Sequence, residues 1–420
     1  MRTPLTLTAL VVAPALLLAG CGGSGGGGDD VAAVGADGVK TGPGVTADAI
    51  TLGRLTDASG PFKGLGLNLK AGEDLWLKEV NAAGGVCGRQ IGIDSVDHGY
   101  KADQATIQFP ELEPKVAGML EVLGSPVIGA LKADFAEKKV TSSALAFSSQ
   151  LLDQPTVLLA GTTYDLEFIN ALSYLLDEKL IKEGDKIADI YIDGDAGKNG
   201  LAGTKYFAEK HNMTVVERGV TATDTDMTNI VTGLRGEGVK AIVMTTSGAQ
   251  TASVASASAA LKLNVPMVAN SPSFDPGLLD TPAADALNDK VYVASSSVPY
   301  SADLPKAKEI ATKFEAAGSG KPSYAVQFGY SLGLVWQQIL QKACEAKDLT
   351  RDGVLAAKTS SSTVDLQELV AGLDFSKPGS PATREVYIAK VDKSEKGGLK
   401  QMKPLAAAPD AMTYKAPFEQ

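Results

Sequence analysis

Apolar positions along the chain fall into two rhythms that alternate. Ile50-Thr51-Leu52-Gly53-Arg54-Leu55 is a β-rich run closed by a Gly/Pro loop, and Asn68 to Asn81 then carries Leu69, Gly72, Leu75, Trp76 and Val80 at helical spacing. Gly84-Gly85 ends that helix, since glycine accepts the left-handed conformation found just past a helix C-terminus. Ile91 to Val96 reads as the next strand, followed by a helix around 103–117, a strand around 119–123, a helix around 130–138 and a strand around 140–145. A second series places a strand at Ile187–Ile192 and a helix at Gly197–Asn212. Strands at Met213–Val220 and Ala241–Thr245 then flank a helix at 226–237, and a helix follows at 249–262. Strands alternating with helices predict an α/β fold with doubly wound, Rossmann-like parallel sheets. Ligands of such sheets sit beyond the carboxyl ends of the strands, which points to the loops at 56–66, 123–129, 146–150, 193–199, 245–250 and 270–275. No repeat of a solenoid or propeller period is present.

Length adds a second lobe: 420 residues exceed what one hydrophobic core usually holds. Apolar residues at 44% and charged residues at 21% are those of a globular chain. A formal charge of −10 argues against nucleic acid, which needs clustered Lys and Arg to neutralise phosphates.

The beginning of the chain has its own pattern. Arg2 precedes an uncharged apolar run from Leu5 to Leu18 that ends in small residues, as a secretory signal does. Leu18-Ala19-Gly20-Cys21 resembles the lipobox of bacterial lipoproteins, which implies cleavage before Cys21 and a diacylglycerol on its sulfur. The alternative is an ordinary signal peptide with an incidental cysteine. Two acyl chains, at roughly 0.8 kcal/mol per buried CH₂, would hold the protein durably at the extracytoplasmic face of the membrane. Beyond Leu18 no apolar segment is long enough to cross a bilayer. From residue 22 to about 45–47 the chain is Gly-rich and poor in large apolar groups, predicting a flexible tether. With Cys21 acylated, Cys87 and Cys344 remain as an even pair, either bridged or as two buried thiols.

Several stretches carry a family likeness. Ile50-Thr-Leu-Gly-Arg-Leu-Thr-Asp-Ala-Ser-Gly60-Pro61 and Asn81-Ala-Ala-Gly-Gly85-Val-Cys87-Gly-Arg-Gln-Ile91 resemble the first strand with its Ser-Gly-Pro loop, and the helix-to-strand turn, of the branched-chain amino acid (Leu/Ile/Val) binding proteins of ABC transporters. Asp193 to Leu201 and Tyr324 to Leu340 are similar to a later loop and the long helix of that family. The resemblance implies the type I periplasmic binding protein fold, two lobes joined by three crossovers near 161–164, 296–299 and 372–376. Lobe 1 would hold 48–161 and 297–372; lobe 2 would hold 162–296 and 373–410, with 411–420 as a tail. Cys87 and Cys344 then share lobe 1, which favours pairing. It further implies a monomer that captures a small polar solute (amino acid, amide or small carboxylic acid) by hinge closure and delivers it to permease and ATPase subunits. A ligand sensor of the same fold, signalling to a membrane receptor or kinase, is the alternative.

By the same likeness the carboxylate cradle falls on Ser125, Ala146 and Ser148, with ordinary loop serines as the other reading. The family's pocket aromatics fall on Leu65, Gly197 and Ser247. Its ammonium-binding acid falls near Asn270–Ser273, around Ser271, where no Glu stands; Asp275 precedes Pro276 and suits a turn cap. Phe62 and Tyr324 are candidate apolar walls, with Phe147, Phe274 and Tyr300 as further options. No enzyme signature is found: His98 and His211 are the only histidines, and no His-Glu-x-x-His, Gly-x-Ser-x-Gly or Walker loop occurs. Asp193-x-Asp195 lacks the further ligands of a calcium loop, so neither a metal nor a cofactor is expected.

Overall fold

The computed structural model describes residues 33–288, 290–318 and 320–420. The expected signal segment, the expected lipidation site Cys21 and the Gly-rich run lie outside the described residues. From residue 33, within the stretch expected as a tether to about 45–47, the chain forms strands and turns. β1 (Ala33–Val34) and β2 (Lys40–Thr41) pair antiparallel, Val39 is buried, and Arg89 donates to Asp37 at 2.7 Å. Val39 supplies buried apolar surface that the glycines before this stretch lack, while Val34 is exposed.

The chain next lays down β3 (Ala49–Thr56), α1 (Lys63–Ala82), β4 (Gln90–Asp97), α2 (Ala102–Leu112), β5 (Met119–Leu123), α3 (Ser125–Glu137), β6 (Ser142–Leu145) and β7 (Val157–Leu158). These strands form a parallel sheet in the order β4-β3-β5-β6-β7. β5 is buried at every position, as a strand covered on both faces must be. The helix expected at 103–117 stops at Leu112, because Pro114 opens a short 3-10 turn there. The one expected at 130–138 starts earlier, at Ser125, where Pro126 suits the first helical turn.

A second sheet follows, built from α4 (Tyr164–Asp177), β8 (Lys186–Ile192), α5 (Asp195–Lys210), β9 (Thr214–Val220), α6 (Thr228–Glu237), β10 (Ala241–Thr245), α7 (Gly248–Ala260), β11 (Met267–Ala269), α8 (Ala284–Leu287) and β12 (Val291–Ser295). The chain then returns toward the first sheet with α9 (Pro305–Ala317), α10 (Tyr324–Glu345), β13 (Asp348–Leu349) and α11 (Arg351–Thr359), and β13 pairs with β2. Finally β14 (Val386–Val391) and β15 (Leu399–Ala406) add antiparallel to the second sheet, giving β15-β14-β12-β11-β10-β8-β9. The last segment is docked rather than a free tail. In α12 (Pro409–Thr413) Ala411 is buried, and Arg384 donates to Glu419 at 2.6 Å.

Two contacts fix the first lobe. α1 and α10 approach so closely that a Cβ on Gly72 would lie 1.9 Å from the Val326 carbonyl oxygen, and one on Gly329 would lie 2.1 Å from that of Leu69. Cys87 and Cys344 are joined by a disulfide, with Cα atoms 6.5 Å apart, tying the turn after α1 to the end of α10.

Candidate functional site

Each parallel sheet changes direction once, and ligands of such sheets bind at that switch point. In the first sheet the switch lies between β3 and β5; in the second it lies between β8 and β10. The loops leaving these four strands enclose one cavity of about 510 Å³, within the range of small-molecule sites. Phe62 and Leu65 enter from the loop after β3 and the first turn of α1, and Gly124 and Ser125 from the loop after β5. Opposite them stand Asp193 to Gly197 after β8 and Thr245 and Thr246 at the end of β10. Tyr100, Tyr164 and Asn270 complete the wall.

Most of the surface is apolar or aromatic, and no Lys or Arg is among the described residues that line it. Its two acids, Asp193 and Asp195, are exposed; Asp193 pairs with Lys198 at 3.0 Å, and Asp195 occupies the first turn of α5, where the helix N-terminus favours a carboxylate. The polar atoms left over are mostly donors. The Ser125 hydroxyl, the buried Thr245 hydroxyl and the buried Asn270 amide nitrogen have no hydrogen-bond partner among the described residues.

Tyr100 is held in place with some strain. Its φ is 63°, a left-handed conformation uncommon for a bulky residue. The turn survives because Asp97 accepts from the Gly99 N–H at 2.9 Å and the His98 Nδ1 accepts from the Tyr100 N–H at 3.0 Å. The accepting role requires a neutral imidazole, and burial lowers the His98 pKa. The Tyr100 ring lies against Phe62, centroids 4.6 Å apart, and against Gly124, where a Cβ would fall 2.6 Å from the ring. Burial, and secondarily the Asp57 carboxylate, push the phenol up to about 12, so it stands in the cleft as a neutral donor.

A small recess of about 30 Å³ adjoins the cavity and shares Leu65, Leu145, Tyr164 and Pro272 with it. Its roof is a junction of three elements. Glu167 of α4 accepts from the Ser271 N–H at 3.1 Å, and Tyr324 of α10 donates to the Ser271 carbonyl at 2.5 Å. Glu167 is buried, and burial raises its carboxyl to about 8. Nearby, Asp165 accepts from Ser149 at 2.7 Å, Asn199 at 3.0 Å and Tyr414 at 3.0 Å, joining the loop after β6 to α5 and the C-terminal segment.

The positions singled out in the sequence divide. Phe62, Leu65, Ser125 and Gly197 line the cavity, and Leu65, Ser271 and Tyr324 line the recess. Ala146, Ser148 and Ser247 line neither. Ala146 is buried, the Ser148 hydroxyl accepts from the Gln150 N–H at 3.3 Å, and Ser247 caps α7 reciprocally with Gln250. The two serine hydroxyls are thus engaged in local backbone structure. Asp275 caps its turn, accepting from the Gly277 N–H at 2.7 Å. Sequence reasoning missed Tyr100, Tyr164 and Thr221. Tyr100 and Thr221 follow the carboxyl ends of β4 and β9, so the rule that found the other loops would have found them had every strand been counted.

Comparison with known proteins agrees with this geometry. The periplasmic binding protein family matches residues 49–398. A fatty acid ABC transporter substrate-binding protein from Thermomonospora curvata is 36% identical, with a TM-score of 0.88 over 92% of this chain and 99% of that one. A branched chain amino acid ABC transporter from Thermus thermophilus with bound valine is 18% identical, with a TM-score of 0.75 over 87% and 98%. A solute binding protein from R. palustris in complex with 4-hydroxybenzoate is 20% identical, with a TM-score of 0.74 over 86% and 98%. The last two show a shared fold. Among curated protein sequences nothing matches.

Proposed function

Because this chain belongs to the periplasmic binding protein family, as a substrate-binding protein of an ABC transporter, we propose that its cleft takes a fatty acid or another acid with an extended apolar body. The observation that carries this is the wall itself: Phe62, Leu65, Leu123, Leu145, Ile192 and Pro272 face a cavity that no cation among the described residues lines. A straight alkyl chain gains about 0.8 kcal/mol per methylene buried there. A carboxylate at its end fits the neutral donors Ser125, Tyr100, Thr245 and Asn270, which stabilise an anion without requiring a buried counter-charge. The 36% identical relative named for fatty acids supports the same class.

Asp195 favours a second reading, an amino acid whose ammonium meets that carboxylate. Its exposure and its first-turn position in α5 account for it without a ligand. A thermal-shift screen separates the two. Saturated straight-chain acids should raise Tm in a concentration-dependent way, by the linkage that gives about 2.7 kcal/mol at a hundredfold excess over Kd. A large shift with leucine or valine and none with the acids would overturn the proposal.

On this reading the two lobes, 48–161 with 297–372 and 162–296 with 373–410, close about crossovers near 161–164, 296–299 and 372–376, and ligand draws the equilibrium toward the closed form. The closed monomer is what the permease and ATPase subunits receive. Leu18-Ala19-Gly20-Cys21 supports a lipid anchor at the extracytoplasmic membrane face; Cys21→Ser should then release the protein from the membrane fraction.

A further inference from the structure

We infer that the recess behind the main cavity receives the methyl end of the ligand's tail and fixes the longest tail the protein accommodates, with Phe328 as the stop. This rests on the fatty-acid reading above. The recess adjoins the cavity, and Leu65, Leu145, Tyr164 and Pro272 line both. Its volume of about 30 Å³ holds one water-sized group, so about one carbon fits. Phe328, which lines the recess but not the main cavity, meets the edge of Phe147, centroids 5.7 Å apart, and Phe147 in turn meets Tyr164 at 6.1 Å.

The helix that carries this wall is held against α1. Phe328 sits on α10 beside Gly329, whose contact with the Leu69 carbonyl leaves no room for α10 to shift toward α1. Leu69 itself lines the recess. The roof is held from two sides in this conformation: Tyr324 donates to the Ser271 carbonyl and Glu167 accepts from its N–H. A tail that reaches Phe328 therefore gains nothing from further carbons, which must crowd the main cavity or emerge at its mouth.

The test is a calorimetric series of straight-chain acids from hexanoate to octadecanoate on the wild-type protein, Phe328→Ala and Ser297→Val. In the wild type, affinity should rise about fourfold per methylene to one length and then level or fall. Phe328→Ala opens the end wall and should move that length up by about two carbons or more. Ser297→Val fills the recess from its serine side and should move it down. The Ser297 hydroxyl is buried without a partner among the described residues, so this change breaks no hydrogen bond and serves even if Phe328→Ala fails to fold.

Straight-chain acids that bind with the same optimum in both variants would overturn the recess assignment while leaving the fatty-acid reading intact. An ω-hydroxy acid that outbinds the plain acid of equal length would also overturn it, because the serines rather than the rings would then read the terminus. No binding of any acid to the wild type would instead sink the fatty-acid reading.

Discussion

Glu167 ties pH to stability through a single buried group. Its carboxyl is 1% exposed and accepts from the Ser271 N–H, and no cation is paired with it among the described residues. Burial raises its pKa from 4.5 to about 8, because removing a carboxylate from water penalises the charged form. The folded state thus keeps a proton that the unfolded chain releases above about pH 4.5. Stability should fall as pH rises from about 4.5 and level off above about 8. At about 1.36 kcal/mol per unit, the shift corresponds to about 5 kcal/mol as an upper bound.

Glu167→Gln removes the titration and keeps an oxygen for the Ser271 N–H. Asp189 in β8 is also buried and raised to about 7, so the wild-type curve contains a second contribution of the same sign. The difference between the two proteins isolates Glu167. Urea denaturation followed by circular dichroism across about pH 5 to about pH 9 should show the gap moving in favour of Glu167→Gln by several kcal/mol as pH rises. A gap that stays constant across this range would refute the reasoning, since it would mean that the carboxyl titrates alike in both states.

Two further changes probe the frame of the site. Replacing Cys87 and Cys344 by serine opens a link between residues 257 apart in sequence, for which loop-closure entropy gives about 5–6 kcal/mol and comparable proteins show about 2–5. Tm should fall while ligand affinity holds, and a Tm insensitive to reductant in the wild type would contradict this. Tyr324→Phe deletes the bond from α10 to the Ser271 carbonyl, costing about 0.5–1.5 kcal/mol. Ligand should dissociate several-fold faster by stopped-flow, and unchanged dissociation would remove this bond from the closing contacts.

Much of the fold was legible because it rests on local patterns. The β3 run, the α1 stripe ending at Gly84-Gly85 and the strands at Met119–Leu123 and Ala241–Thr245 follow directly from apolar spacing and glycine placement. Boundaries slipped where proline chemistry competed with periodicity, at Pro114 and Pro126. The strand-end rule located the cavity, since Phe62, Ser125, Gly197 and Asn270 all lie in or beside the loops it named. Side-chain direction was not legible. Ser125 and Ser148 look alike in sequence, yet one hydroxyl lines the cavity without a partner among the described residues and the other caps a turn. Glu167 was equally hidden, and Tyr324 was legible as a wall but not as a donor, because their common partner is the backbone of Ser271, far from both in sequence.

An apolar tail, held by neutral donors, is proposed to fill the cavity between the switch points. Isothermal titration of purified protein with decanoate and with leucine, repeated at several temperatures, tests it most directly. The account predicts saturable binding of decanoate with a negative heat-capacity change, the mark of buried apolar surface, and far weaker binding of leucine. Tight leucine binding with no decanoate heat would contradict it.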